Sequence, residues 1–179
     1  MPPLPLRGPQ GAPVLALVGW SGSGKTTLLT AVLPLLTDAG LRVSTLKHAH
    51  HKVDPDQEGK DSFRHRAAGA HETMLATTER FVLFHDHRSG ADEPDLPALL
   101  ARMAPADLFI AEGFKSASVA KIEVHRPMLG KPSLWPDLDD IVAVASDAPL
   151  AAGGLPVLPL NHPAMVADFI LRWRADTIA

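Results

Sequence analysis

The chain contains no cysteine, so it can form neither a disulfide framework nor a thiolate metal site, and nothing argues against a reducing compartment. It also lacks any run of eighteen or more apolar residues, which leaves no candidate for an ordinary membrane-spanning helix. The first residues show neither the basic n-region nor the apolar h-region of a signal peptide, and a cytoplasmic location is expected. There is no excess of positive charge: the formal net charge is −3, which argues against nucleic acid as the main partner. What remains is 179 residues with 46% hydrophobic content, enough for one compact domain and too little for a second catalytic one. Met1 to Ala12 carries Pro2, Pro3, Pro5 and Pro9 among glycines without periodicity. It is expected to be a disordered lead, with residues 13–179 forming the domain.

The most informative stretch is Gly19-Trp20-Ser21-Gly22-Ser23-Gly24-Lys25-Thr26, which fits G-x-x-x-x-G-K-[ST] at every fixed position. It follows the apolar run Val14 to Val18 and precedes the helical pattern Thr27 to Leu36, giving strand, glycine loop and helix in the order a phosphate-binding loop needs. Small residues let successive N–H groups curl around an anion, and the helix adds its positive end. A nucleoside triphosphate is therefore the expected ligand, held by Ser21, Gly22, Ser23, Gly24, Lys25, Thr26 and Thr27. Lys25 would reach the β- and γ-phosphates and the Thr26 hydroxyl would ligand Mg²⁺. A chance glycine loop is the bland alternative, and the agreement of motif with context weighs against it.

Gly40 should end the helix, and Leu41 to Leu46 reads as a second strand parallel to the first. It runs into Lys47-His48-Ala49-His50-His51-Lys52-Val53-Asp54. The carboxyl ends of strands line the ligand crevice of a parallel sheet, so this loop should emerge beside the phosphate loop. Three histidines within four positions allow a metal site, but an anion contact through Lys47, His50 and His51 is the preferred reading over that and over a solvated loop. Asp61 is a plausible N-cap for a short helix through Ala70, on which Arg64 and Arg66 lie on opposite sides of the apolar face and cannot grip one phosphate. Glu72 to Ala76 and Arg80 to His85 read as two short strands, and Asp95 to Met103 as an amphipathic helix.

Asp107 to Lys115 places four apolar residues before Glu112, a buried parallel strand with a carboxylate at its carboxyl end. Glu112 is expected to hold the Mg²⁺ hydration shell or orient water, whereas Asp107 sits at the wrong end of the strand. Lys115 would neutralise the same ligand or stand exposed. Lys121 to Arg126 alternates polar and apolar residues and reads as an edge or hairpin strand. Ile141 to Ala145 is another buried strand ending in Ser146-Asp147. No Asn-Lys-x-Asp is present, so Asp147 as a base reader competes with a turn or capping acid. Val157 to Leu160 is a last strand, and Pro163 begins a final helix. The architecture expected is a three-layer α/β P-loop NTPase domain, with helices on both faces of a mostly parallel sheet. No arginine finger or catalytic glutamine can be named, so turnover should be slow.

The phosphate loop, Lys47-His48 with His50-His51, Gly59 to Ser62, Arg66 to Ala70, Glu112-Gly113-Phe114-Lys115 and Val142 to Asp147 together resemble the molybdopterin-guanine dinucleotide biosynthesis protein B (MobB) family, in order along nearly the whole chain. The phosphate loop alone is common to many families; its combination with Lys-His-x-His-His and Glu-Gly-Phe-Lys is much more selective. The resemblance implies a homodimeric, GTP- and Mg²⁺-binding adapter with weak hydrolysis, in which the strand around Ile122 is a candidate subunit contact. It further implies a molybdopterin nucleotidyltransferase (MobA-like) as partner, and molybdopterin or its guanine dinucleotide near the His-rich loop and Gly59 to Ala70. A small-molecule kinase and a metal-delivery GTPase are the rival classes.

Overall fold

The computed structural model describes residues 6–49, 54–87 and 93–178. They cluster into two compact units, one of Met1–His48 with Asp95–Ala179 and the other of Ala49–Pro94.

The larger unit is built on six strands: β1 (Val14–Val18), β2 (Val43–Lys47), then, past the insertion that carries β3 (Glu72–Ala76) and β4 (Phe81–His85), β5 (Leu108–Glu112), β6 (Ala120–His125), β7 (Ile141–Ser146) and β8 (Val157–Pro159). Their order is β2-β5-β1-β6-β7-β8, and every pairing is parallel. All carboxyl ends therefore meet at one edge. The helices are α1 (Lys25–Asp38), α3 (Leu96–Leu100) and α4 (Pro163–Ile178). α1 ends as Gly40 suggested: with φ of +87° there, the Gly40 N–H donates to Thr37 O and the Leu41 N–H to Leu36 O.

Side-chain alternation sorts the core into two layers. Leu15, Leu17, Leu108, Ile110, Ile122 and Val124 share one cluster with Leu29, Val32 and Leu36 of α1 and Val166 and Ile170 of α4. Val14, Ala16, Val18, Phe109 and Ala111 face the opposite way, onto Leu96 and Leu100 of α3 and onto loop residues such as Leu134 and Ala152. The three layers are unequal: two long helices cover one face, and a five-residue helix with loops covers the other.

That inequality explains the one strand the sequence misplaced. β6 is not an edge or a hairpin strand; it lies in the middle of the sheet between β1 and β7, and Ile122 is fully buried and unavailable to another subunit. Its polar residues Lys121, Glu123 and His125 are buried as well. A covering layer of loops has no ladder of its own to satisfy its backbone, so β6 side chains do so. Lys121 Nζ donates to Ala117 O and Val119 O and pairs with Asp140, while Glu123 accepts from the N–H groups of Leu134 and Trp135.

The lead also differs from expectation from Leu6 onward. Arg7 bridges to Pro13 and donates to Thr177 O at 2.7 Å, and Gly8 lies so close to Phe109 that a Cβ there would meet the ring at 2.5 Å. Contact with the sheet orders this segment despite its prolines.

The smaller unit holds α2 (Asp61–Ala67) and the antiparallel pair β3 (Glu72–Ala76) and β4 (Phe81–His85). The N-cap is Lys60, and Asp61 is the first helical residue instead of the cap. Arg66 holds the unit together, donating to Asp54, Asp56 and Asp86 and lying 4.9 Å from the centre of the Phe84 ring. These bonds raise the Arg66 pKa above its already high ordinary value, those from Asp86 most. The Arg66 hydrogen bond is the main cause holding Asp54 below the usual carboxylate range. For Asp56, burial pushes upward, but hydrogen bonds from Ser62 and Arg66 outweigh it and the net shift is downward.

Candidate functional site

Three strand ends and the start of α1 build the site. The phosphate loop leaves β1 through Gly19 at φ +145°, where a Cβ would meet Val124 O at 2.3 Å, so only glycine fits against β6. Gly22 and Gly24 also hold positive φ values, +78° and +98°, which curl the loop before Lys25 opens the helix. Ser23 is buried, and among the described residues its Oγ has no hydrogen-bond partner. An unsatisfied hydroxyl in a cradle of glycines and N–H groups at a helix start suits an anionic ligand.

Lys25 Nζ folds back onto its own loop, donating to Gly19 O at 2.9 Å and Trp20 O at 3.0 Å. Burial lowers the Lys25 pKa from its ordinary value; Glu112 acts in the opposite direction, and Lys47 adds to the lowering. A polyphosphate entering the loop would restore the charge balance this ammonium lacks.

Register brings Leu17, Glu112 and Lys47 level across β1, β5 and β2. The Thr26 hydroxyl donates to Glu112 Oε1 at 2.6 Å, and Lys47 Nζ lies 3.4 Å from the same oxygen and 3.3 Å from Thr26 Oγ1. Glu112 is buried. The residues expected to serve the metal, Thr26 and Glu112, are thus brought together with Lys47. A hydroxyl and a carboxylate beside phosphate-binding amides are the oxygen donors Mg²⁺ takes when it shares coordination with phosphates. Just past Glu112 the chain turns through Gly113 at φ +93° and Phe114 at φ +53°, a conformation rare for a bulky residue. The turn sets the Phe114 ring 5.2 Å from that of His48. Asp107 is engaged at the far end of β5 with Arg42.

Asp147, just past β7, faces an arginine the sequence did not single out: Arg126 Nη1 lies 3.3 Å from its Oδ2. Arg126 Nε donates to Ser23 O at 3.0 Å, and its guanidinium would meet a Cβ placed on Gly24. Arg126 therefore braces the phosphate loop, held in turn by Asp147. The rule that strand ends carry the site would have found Arg126 had Lys121 to His125 been read as a central strand. His50 and His51 lie outside the described residues. Among the described residues no group of three or more His, Asp or Glu is arranged to hold a metal ion, and no helix is long and apolar enough to cross a membrane.

The sequence profile of molybdopterin guanine dinucleotide synthesis protein B (MobB) matches residues 14–147. The chain belongs to the MobB family. A molybdopterin-guanine dinucleotide biosynthesis adapter protein of Escherichia coli (strain K12) is 40% identical over 164 residues, covering 90% of this chain and 93% of the relative. The Haemophilus influenzae protein of the same name is 38% identical, covering 90% and 89%. Among solved structures, a crystal structure of molybdopterin-guanine biosynthesis protein B superposes with a TM-score of 0.70 at 29% identity, over 89% of this chain and 99% of that one. Bacillus subtilis MobB gives 0.70 at 26% identity, over 89% and 96%. The sheet and phosphate loop described above are those of a P-loop NTPase fold in its MobB form.

Proposed function

We propose that this protein is a GTP-binding adapter that assists attachment of a guanine nucleotide to molybdopterin, with weak GTP hydrolysis at most. The observation that carries the reading is the close triangle of Thr26, Glu112 and Lys47 at the start of the helix that follows an intact phosphate loop. The adapter role is the one named for relatives of nearly the same length.

Amides from Ser21 to Thr27 would cradle the phosphates, with Lys25 released from its loop carbonyls to meet them. Thr26 and Glu112 would hold Mg²⁺, whose chemistry there is to neutralise charge on the phosphate oxygens. Lys47 lies close enough to contribute a further positive charge. Slow turnover agrees with Arg126, whose guanidinium is committed to Ser23 O and Asp147 and not free to meet developing charge. In this reading Asp147 serves the nucleotide site by holding Arg126, and guanine preference rests on the family.

We place the homodimer contact on the β3–β4 pair. Phe81 and Met74 are 68% and 59% exposed there, beside exposed Leu75, Val82 and Leu83, more apolar surface than a short hairpin ordinarily leaves to water. The partner is a molybdopterin nucleotidyltransferase in the cytoplasm. The test is co-purification: the tagged chain should retain that enzyme from a lysate supplied with GTP and Mg²⁺, and a Lys25→Ala variant should retain less. Equal absence of the enzyme from both preparations contradicts the adapter role.

A further inference from the structure

We propose that the Lys47 ammonium is a built-in placeholder for the divalent cation: it bridges Thr26 Oγ1 and Glu112 Oε1, the two oxygens that would hold Mg²⁺, and yields the position when the metal binds. The inference rests on the nucleotide-site reading above and deepens it, since it assigns Lys47 to the metal position and not only to the phosphates.

The three atoms form a closed triangle. Lys47 Nζ lies 3.3 Å from Thr26 Oγ1 and 3.4 Å from Glu112 Oε1, and those two oxygens are 2.6 Å apart. The Thr26 hydroxyl gives its hydrogen to Glu112 and accepts one from Lys47, so the lone pairs a metal ion would need are those the ammonium uses. The two cations cannot share the position. A doubly charged ion beside a retained ammonium would add repulsion to the crowding.

The sheet sets this placement. Lys47 and Glu112 are level partners on the neighbouring parallel strands β2 and β5, so their side chains leave the same face. That face is the one covered by α1, whose second residue is Thr26. The Glu112 side chain is only 9% exposed, and a buried carboxylate needs a cation beside it. Lys25 does not serve, because its Nζ donates to Gly19 O and Trp20 O; Glu112 pairs with Lys47 instead.

The hold is also loose. Strong charge-assisted hydrogen bonds are about 2.7–2.9 Å long, and both Lys47 contacts are longer. The Lys47 side chain is 60% exposed, and its flexible stem lets the ammonium swing out. The main chain need not follow, since the next residue, His48, donates its N–H to Glu112 O at 2.9 Å and keeps β2 on β5. A tightly bound ammonium would block the metal, and no cation at all would leave Glu112 uncompensated in the nucleotide-free chain. A weakly held one does neither.

Calorimetric titration of the full chain with GTP, in EDTA and in saturating Mg²⁺, tests this in wild type, Lys47→Met and Lys131→Met. Methionine removes the charge and keeps an unbranched stem. Lys131, exposed and 5.8 Å from the Trp20 ring at the rim of the phosphate loop, supplies a control for charge alone. Lys47→Met should bind GTP about tenfold more weakly in EDTA and within about twofold of wild type in Mg²⁺, so the gain from Mg²⁺ grows roughly tenfold. Lys131→Met should leave that gain unchanged, and Lys47→Arg, which keeps a cation beside Glu112, should restore it to the wild-type value. Mn²⁺, followed by its paramagnetic resonance signal, reads the nucleotide-free chain: its affinity should rise about tenfold in Lys47→Met, and adding Glu112→Gln should abolish the rise. Lys47→Gln gives a second neutral variant should Lys47→Met fold poorly. A lysine that only attracts phosphate would weaken GTP equally with and without Mg²⁺; that result, or unchanged Mn²⁺ affinity in the neutral variants, overturns the proposal. Failure of GTP to bind the wild-type chain would sink the nucleotide reading, while the Mn²⁺ measurement would still decide this one.

Discussion

Replacing Glu123 should loosen a loop that begins eight residues away in sequence and reaches the phosphate-binding edge. Its carboxylate is fully buried on β6 and accepts three hydrogen bonds, two from the Leu134 N–H and one from the Trp135 N–H. In Glu123→Gln the remaining oxygen can keep the position shared by both donors, but an amide NH₂ then faces the Leu134 N–H and the charge assistance is lost. Hydrogen bonds to charged groups are worth about 1.5–3 kcal/mol, so a net loss of about 2 kcal/mol is expected. Glu123→Ala removes every acceptor and strands the Leu134 N–H and the half-buried Trp135 N–H, each unsatisfied donor costing about 1–3 kcal/mol, for a total of about 3–5 kcal/mol. For a chain of this size, where 1 kcal/mol shifts the melting temperature by about 2–4 °C, the drops should be about 6 °C for Gln and about 10 °C for Ala. Differential scanning calorimetry reads this directly. The Trp20 indole N–H donates to Pro132 O of this loop at 2.7 Å. Trp20 fluorescence, isolated by subtracting a Trp20→Phe background, should therefore show the indole becoming more solvent-exposed in the Ala variant. A Glu123→Ala protein melting within about 2 °C of wild type would refute the idea that this carboxylate anchors the loop layer.

Three further outcomes follow from the geometry. Glu112→Gln should cut the Mg²⁺-dependent part of GTP affinity about tenfold while leaving affinity in EDTA nearly unchanged; identical Mg²⁺ dependence in calorimetry would remove Glu112 from the metal site. In the smaller unit the Asp54 and Asp56 pKa values are lowered, so the stabilisation from Arg66 is whole above the unfolded carboxylate value of about 3.9 and is lost as pH falls through the lower folded values. The Arg66 Nη–H resonances in ¹H–¹⁵N spectra, whose groups donate to Asp54 and Asp56, should therefore hold their shifts down to about pH 4 and collapse below it, and a collapse near pH 6 would place the control on histidine instead. Phe81→Glu should convert a dimer to monomer in analytical ultracentrifugation, and an unchanged dimer would move the contact off the β3–β4 pair.

The phosphate loop was legible because its chemistry is local: spacing, glycines and flanking periodicity all lie within one short segment. The strand ending in Glu112 was legible because four uninterrupted apolar residues signal burial on both faces. β6 was not, because alternation in Lys121-Ile122-Glu123-Val124-His125 looks the same whether the polar face meets water or a layer of loops that needs its hydrogen bonds. Reading that strand as peripheral hid Arg126 and, with it, the actual engagement of Asp147. Lys47 was legible as an anion contact, but its place on Glu112 and Thr26 was not, because only the fold brings those three segments together. The ordering of residues 6–12 was hidden for the same reason, since proline content says nothing about contact with Phe109 or Thr177.

The account depends most on the loop from Gly19 to Thr26 holding a triphosphate. Isothermal titration of the full chain with GTP and with ATP, each with and without Mg²⁺, and then of Lys25→Ala, measures this directly. The expected result is one equivalent of GTP bound more tightly than ATP, strengthened by Mg²⁺ and weakened about a hundredfold or more by Lys25→Ala, the loss of a charged partner to phosphate costing about 3 kcal/mol. No heat with either nucleotide, or equal affinity in wild type and Lys25→Ala, would contradict it.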